Sequence, residues 1–456
     1  MIDEHLRLIF NACNPNQTAT ADNYSDCRGA RGGDALTDQI IRQLRMADDS
    51  QQLRFLFTGH IGSGKSSELV HLVGKLRNET TFPIYVDFKE YLDEQDTRLE
   101  DIFVALAIEL SENFRERFHF QLEDALLRSW YETLRGFANG SQITELEIGL
   151  PEDVGKLKAE FKQNPSARKQ LHSAIKAGNI SLLSEFNLLL DKANLYLAQN
   201  TTFKRLVLIA DGLEKIEQFD GRSRGLESQR QLFIESQAQL TGIGAHILFT
   251  IPLFLYRSSA DAPKLALYYG NESFVLPMVK IHNRGNFDDN YQLGHSALKA
   301  ILQKRFGRIK VEGEGFEPDA LEHLIRYSGG NIRNLLRFVQ QAITYTDTLP
   351  IKISAARKSV GKAVDMFAAS INEQSGHYQK LAQLELSPKQ QIVTGDDAYS
   401  TLLENTTIFE YVDGDDGGAE EGDYQRWYAV NPVVRRLPKF TEAVAAAVAL
   451  KKTEQS

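Results

Sequence analysis

Cysteine is scarce. Cys13 and Cys27 are the only two in 456 residues. Two thiols in a chain this long exclude a disulfide framework and a zinc-ligand spacing, and predict reduced cysteines. Long apolar runs are also missing. Stretches such as LVLIA fall far short of the roughly 20 residues that a membrane span requires. The opening MIDEHLRLIFNACNP is acidic and lacks the basic start and long apolar stretch of a secretion signal. These absences predict a cytoplasmic protein with no membrane partner. Positive charge is in deficit as well: the net charge is −9. That excludes a surface built throughout to grip nucleic acid and leaves only a local basic patch open. No internal repeat is present.

What is there suffices for large cores. Hydrophobic residues make up 42% and charged residues 25% of the chain, ordinary for a globular protein. At roughly 150 residues per domain, the length predicts about two to four domains. Residues 1–34 are rich in Asn, Asp, Gly and Thr and read as an irregular lead-in. From 35 to 260, DALTDQIIRQLRMAD, SSELVHLVGKLRN and RLEDIFVALAIELSENF carry helical periodicity. They alternate with the strands RFLFT, FPIYVDF, KRLVLIAD and AHILFTIP. Strands apolar on every position are buried on both faces, and the alternation predicts a doubly wound α/β core with a parallel sheet. Residues 112–200 interrupt it with a charged helical insertion, a candidate hairpin in QITELEIGLPEDVG and the periodic helix SLLSEFNLLLDKANLYLAQ. Residues 261–347 read as a helical lid. Residues 348–440 read as a winged helix, with TIFEYV and YQRWYAV flanking the acidic DGDDGGAEEGD. Residues 441–456 are expected to be a tail, disordered at KKTEQS.

The chemistry starts at FLFTGHIGSGKSSEL. Gly59, Gly64, Lys65 and Ser66 fit the phosphate-binding pattern G-x-x-x-x-G-K-[ST], with an extra Gly62. A triphosphate needs many donors at close range, and backbone N–H groups without a Cβ in the way supply them. The helix that follows points its positive end at the phosphates. Lys65 reaches the β- and γ-phosphates and Ser66 takes a Mg²⁺ position. His60, Ile61, Ser63 and Ser67 complete the expected nucleotide contacts. In RLVLIADGLEKIE, Asp211 ends an apolar strand, where it holds Mg²⁺ through water. Glu214 either activates the attacking water or is a solvated carboxylate in the first turn of a helix. Thr250, at the end of HILFT, either touches the γ-phosphate or simply fills its strand. In YSGGNIRNLL, Arg333 lies in a helix's first turn, where the dipole disfavours a cation and a phosphate partner would explain it.

Weaker candidates remain. Arg222, Arg224 and Arg230 are either surface residues or an arginine finger for a neighbouring subunit. Asp87 and Glu90 are second carboxylates near the metal or caps of the next segment. Arg435, Arg436 and Lys439 would suit DNA phosphates. The loop carrying Asp413, Asp415, Asp416, Glu420, Glu421 and Asp423 would repel them, which favours a protein contact for the wing. No guanine-reading N-K-x-D stretch occurs, which points to ATP.

In this order, the P-loop, the DGLE strand end, ILFT, GGNIR and a winged helix resemble the AAA+ and STAND superclass of P-loop ATPases. The likeness runs over about residues 20–440 and is strongest to the branch near the origin-recognition initiators. Bacterial members of this type act as switches in signalling and phage defence. The resemblance implies ATP bound between core and lid, Arg333 at the sensor-2 position, nucleotide-dependent self-association and control of a separate effector protein. One departure stands out. An AAA+ protein carries Glu directly after the strand-end Asp, and here that residue is Gly212. DGLE matches the STAND pattern and implies slow hydrolysis.

Overall fold

The computed structural model describes residues 4–33, 35–48, 51–92, 97–122, 182–219, 223–270, 273–371, 373, 375–392, 396–414 and 425–454. The candidate hairpin at 142–155, Arg222, and the acidic residues 415–423 lie outside them, as does the side chain of Arg224.

A five-stranded parallel sheet forms the core. Its strands are β1 (Arg54–Gly59), β2 (Thr81–Asp87), β3 (Arg205–Asp211), β4 (His246–Pro252) and β5 (Ser273–Leu276). They lie in the order β2-β3-β4-β1-β5. The period of two along each strand sorts side chains onto two faces. Phe55, Phe57, Val207 and Ile209 meet α2 (Leu36–Met46) and α3 (Lys65–Leu76). Leu56, Ile84, Leu208 and Ile247 meet α4 (Leu99–Phe118) and α5 (Leu182–Asn200). Helices on both faces make this the doubly wound α/β fold of P-loop NTPases. Both α4 and α5 are core layers: Phe103 packs edge-on against Phe186, with ring centroids 5.6 Å apart. Both ends of the insertion expected over 112–200 thus belong to the core, as the end of α4 and as α5, and residues 123–181 lie outside the described residues.

Three expectations are corrected. The core does not end at 260, because β5 pairs in parallel with β1 at 273–276. Four residues between loops give too short a pattern to read as a strand. The lead-in is not irregular throughout. Its α1 (Glu4–Ala12) buries Leu6 and Ile9, both in the lid's apolar cluster. The tail expected to be disordered at KKTEQS is helical through Glu454, where α12 (Pro438–Glu454) ends; residues 455–456 lie outside the described residues. Lysines and glutamate at its end are good helix formers that need no buried face.

The lid comprises α6 (Gln292–Phe306), α7 (Pro318–Ser328), α8 (Ile332–Ile343) and α9 (Ile353–Ser370) around a second apolar cluster. Gly329 and Gly330 separate α7 from α8, and Asn331 caps α8 by accepting from the Asn334 amide at 3.0 Å. The last unit holds α10 (His377–Glu385), α11 (Asp397–Glu404) and α12 with an antiparallel ribbon. Its strands are β6 (Ile408–Asp413) and β7 (Gln425–Val430), paired Ile408 to Val430. This is the expected winged helix, but it starts beyond α9 and not at 348, because Ala355, Ala356 and Val360 of α9 pack in the lid's apolar cluster. The ribbon lies against the core, with Phe409, Tyr411 and Trp427 enclosing Met278 just beyond β5.

Candidate functional site

Parallel register brings the C-terminal ends of the strands to one edge. Phe57 of β1 lies opposite Thr250 of β4, and Asp87 of β2 opposite Asp211 of β3. Ligands of such sheets bind beyond this edge. The P-loop occupies it between β1 and α3. Lys65 is the first residue of α3 and is buried; its Nζ donates to the carbonyls of Gly59 at 2.9 Å and His60 at 3.2 Å. The same nitrogen is 3.4 Å from Glu214 Oε1.

Glu214 is not solvated. Its side chain is 6% exposed. Thr250 Oγ1 donates to its Oε2 at 2.6 Å and accepts from the Gly212 amide at 2.9 Å. Thr250 thus fixes Glu214 instead of facing the phosphate pocket. The departure at Gly212 finds its reason here. The residue has φ +98°, a left-handed conformation in which a side chain would be strained, and it turns the chain so that the acid is delivered from 214. Burial alone would raise the Glu214 carboxyl, but Lys65, Lys215 and the Thr250 hydroxyl outweigh it and hold it below its ordinary range. Asp211 goes the other way. Burial first, and the Glu214 charge second, push it up against the opposing pull of Ser66, Lys215 and Tyr85. Its Oδ2 accepts from Tyr85 Oη at 2.7 Å, while its buried Oδ1 takes no hydrogen bond. An unsatisfied carboxylate oxygen beside a serine is the donor set a magnesium ion completes, so Ser66 and Asp211 fit that ion.

A pocket of about 300 Å³ lies over the P-loop. Ile61, Gly62, Gly64, Lys65, Ser66 and Ser67 line it, as do Glu214 and Arg333. Lys89, Lys215 and Arg305 add further cations at its wall. Cations outnumber the single carboxylate, which suits a polyphosphate. The wall is completed by Pro15, Asn16, Gln17 and Thr18. These four come from the segment read as a lead-in, and nothing in their pattern signals a site. The lid closes directly on the loop: Asn331 Nδ2 donates to Ile61 O at 2.8 Å, and the Arg333 amide donates to Gly62 O at 3.2 Å. Gly62 has φ +83°, and a Cβ there would sit 2.4 Å from Asn331 Oδ1 and 2.7 Å from Arg333 Cβ.

His60, Ser63, Gly59, Asp211 and Thr250 do not line this pocket. His60 faces the other way. Its Nε2 accepts from the backbone amide of Glu410 in β6 at 2.7 Å. The acceptor role requires a bare Nε2, and burial pushes the imidazole down to about 4 against the pull of the Glu410 carboxylate. Glu410 is itself buried, with Arg257 Nε at 2.8 Å, Arg257 Nη2 at 2.5 Å and Tyr428 Oη at 2.9 Å. Burial would raise its carboxyl, and Arg257 overcomes this to hold it low. Sequence reading missed this link, because one histidine inside a glycine loop carries no signal of what it faces.

The weaker candidates separate. Asp87 caps the turn after β2, accepting from the Lys89 amide at 3.2 Å. Arg230 is paired with Asp261 at 2.8 Å. The cations that would suit DNA phosphates are engaged within the chain. Arg435 meets Glu385 at 2.8 Å and lies over the Phe287 ring; Arg436 lies over Tyr327; Lys439 meets Glu373. Asp413 is held by Lys280 at 2.9 Å. Cys13 and Cys27 are both free and buried.

No family model and no curated protein matches the chain. Solved structures do. A Walker-type ATPase of Pyrococcus abyssi is 12% identical over 95% of this chain and 99% of its own, with a TM-score of 0.49. Cdc6p of Pyrobaculum aerophilum is 12% identical over 96% and 98%, with a TM-score of 0.39. The Orc1 protein of Aeropyrum pernix, solved in complex with DNA, is 10% identical over 97% and 98%, with a TM-score of 0.38. The similarity is one of chain path. No described helix is long and apolar enough to cross a membrane.

Proposed function

We propose that this protein is an ATP-binding switch of the AAA+/STAND kind, slowly hydrolysing, whose nucleotide state is read by the winged helix. The observation that carries this reading is the hydrogen bond from the Glu410 amide to His60. It fastens a strand of the C-terminal unit to the loop that would wrap the phosphates. Lys65, Arg333 and Arg305 would neutralise phosphate oxygens. Ser66 and Asp211 would hold the magnesium ion, whose charge offsets that of the phosphates. Glu214, kept ionised at neutral pH by Lys65, is placed to orient a water and take its proton. The water oxygen attacks the γ-phosphorus, the bond to the β–γ bridging oxygen breaks, and ADP leaves. With one buried carboxylate also pinning Lys65, the resting pair must separate before chemistry, which supports slow turnover.

The output would be self-association or control of a separate effector protein. The internal pairing of Arg435, Arg436 and Lys439 supports a wing that contacts protein over one that grips DNA. The test is the solution mass and phosphate release of wild type and Lys65→Ala, each with and without Mg-ATP. Assembly or a change of shape with ATP in wild type alone is expected. A wild type that neither binds ATP nor changes mass or shape would refute the switch.

A further inference from the structure

A second cavity, larger than the one over the P-loop, lies behind that loop. It encloses about 580 Å³ between β5, α2, α3 and the β6–β7 ribbon. That is within the range of small-molecule sites, about 300–1,000 Å³. The protein as a whole is acidic, yet this cavity is basic. Some of its cations are neutralised: Arg28 by Asp26 at 2.6 Å, and Lys75 by Asp38 at 2.6 Å; the lining carboxylate of Glu68 accepts from Tyr24 Oη at 2.9 Å. Others are not. Arg257 and Arg426 share the single carboxylate of Glu410, Arg426 at 3.5 Å. Arg42 projects from α2 at the cavity wall and makes no ion pair or hydrogen bond among the described residues.

Arg31 is the clearest case. It is 5% exposed, and no acidic side chain pairs with it among the described residues. Its two terminal nitrogens donate to backbone carbonyls, Ser63 O and Pro277 O, each at 2.6 Å. Its Nε is buried and makes no hydrogen bond. A buried guanidinium without a counter-charge is costly, and an anion in the cavity it lines would offset that cost. The flank is aromatic. The Tyr24 ring stacks on His71 at 4.1 Å, and Tyr256 also lines the wall.

We propose that this cavity is a second ligand site, for a small phosphorylated molecule carrying two or more negative charges. We further propose that its occupancy is felt at the P-loop. Two threads lead there. Arg31 holds the carbonyl of Ser63 inside the loop, and Arg257 holds Glu410, whose amide holds His60. An anion that draws either arginine toward the cavity loosens a support of the loop. The site itself stands apart from the nucleotide reading; only the coupling rests on it.

Inorganic pyrophosphate is a suitable probe. It is titrated by calorimetry into the full chain saturated with Mg-ADP, so that the P-loop is occupied. One binding event is expected in wild type, weakened about tenfold or more by Arg42→Glu and less by Arg42→Ala. Arg42 is exposed, so both variants should keep the wild-type melting temperature. Lys65→Ala, without nucleotide, should keep the event at the affinity of nucleotide-free wild type, which differs from the ADP-saturated value by the coupling factor. Pyrophosphate should also change ADP affinity about fivefold or more in wild type, and not in Arg42→Glu. No event at millimolar concentration, or an event that Arg42→Glu leaves unchanged, overturns the site. So does an event lost in Lys65→Ala, which would place the probe on the P-loop. Unaltered ADP affinity overturns the coupling. If wild type fails to bind ADP, the nucleotide reading falls, while the Arg42 comparison still decides the second site.

Discussion

Thr250→Val separates two roles for a buried threonine. Valine keeps the shape and removes the hydroxyl. In wild type that hydroxyl donates to Glu214 at 2.6 Å and accepts from the Gly212 amide at 2.9 Å. The variant leaves the buried Gly212 amide unpaired, at ~1–3 kcal/mol, and takes a charge-assisted bond of ~1.5–3 kcal/mol from the carboxylate. Relaxation recovers part of this, so a loss of about 2–4 kcal/mol in core stability is expected by denaturant unfolding. Glu214 remains but is no longer held. A positioned base is worth ~10²–10⁴ in rate, and loosening it should cost about 10- to 100-fold in single-turnover hydrolysis. ATP affinity should stay within about threefold, because Thr250 does not line the pocket.

The pH profile adds a second readout. The Thr250 hydroxyl is one of the groups that hold the Glu214 carboxyl low, behind Lys65 and Lys215. Without it the carboxyl rises, and the acid limb of the hydrolysis profile moves to higher pH. The refuting result is the reverse pattern: ATP affinity down about tenfold, with unchanged turnover at saturation. That would make Thr250 a γ-phosphate contact.

Gly62→Ala places a Cβ against Asn331 and Arg333 in a left-handed conformation; it should abolish ATP binding at equilibrium dialysis while circular dichroism stays near wild type. Arg257→Met strands the buried Glu410 charge, so about 3–5 kcal/mol of stability should be lost, and Arg257→Met with Glu410→Gln should recover much of it in chemical unfolding. His60 has a folded pKa of about 4 against 6.5, so its contribution is fully present above 6.5 and is lost as pH falls toward 4. That amounts to about 3 kcal/mol across the window. His60→Gln keeps an acceptor for the Glu410 amide and does not titrate, so its stability curve between pH 6.5 and 4 should be flatter than wild type.

The P-loop and the strands that flank it were legible because their signals are local. A glycine pattern and apolar runs of six or seven residues survive in any tertiary context. Asp211 was legible for the same reason. The role of Glu214 was not, because being buried or solvated depends on whether Thr250, 36 residues on, turns its hydroxyl toward it. Strand β5 was hidden by its length, and α1 by being only nine residues long, too short for Leu6 and Ile9 to stand out as a buried face. The partners of the basic cluster at 435–439 were hidden for a related reason. Sequence shows charge but not its partner, and Glu385 and Glu373 come from distant segments.

Successive groups of the P-loop are tied to different parts of the molecule. The His60 ring receives the wing, the Ile61 carbonyl receives the lid's Asn331, the Ser63 carbonyl receives Arg31, and Lys65 faces Glu214. A phosphate that draws Lys65 away from the carbonyls of Gly59 and His60 therefore works on a loop with few slack positions. Such coupling is reciprocal. If ATP changes the wing's affinity for a partner by some factor, the partner must change ATP affinity by the same factor. A partner that pulls β6 off His60 thus acts as a nucleotide-exchange device, and one that clamps it acts as a nucleotide trap. The direction follows from whether the His60 bond is stronger with the phosphates bound or without them.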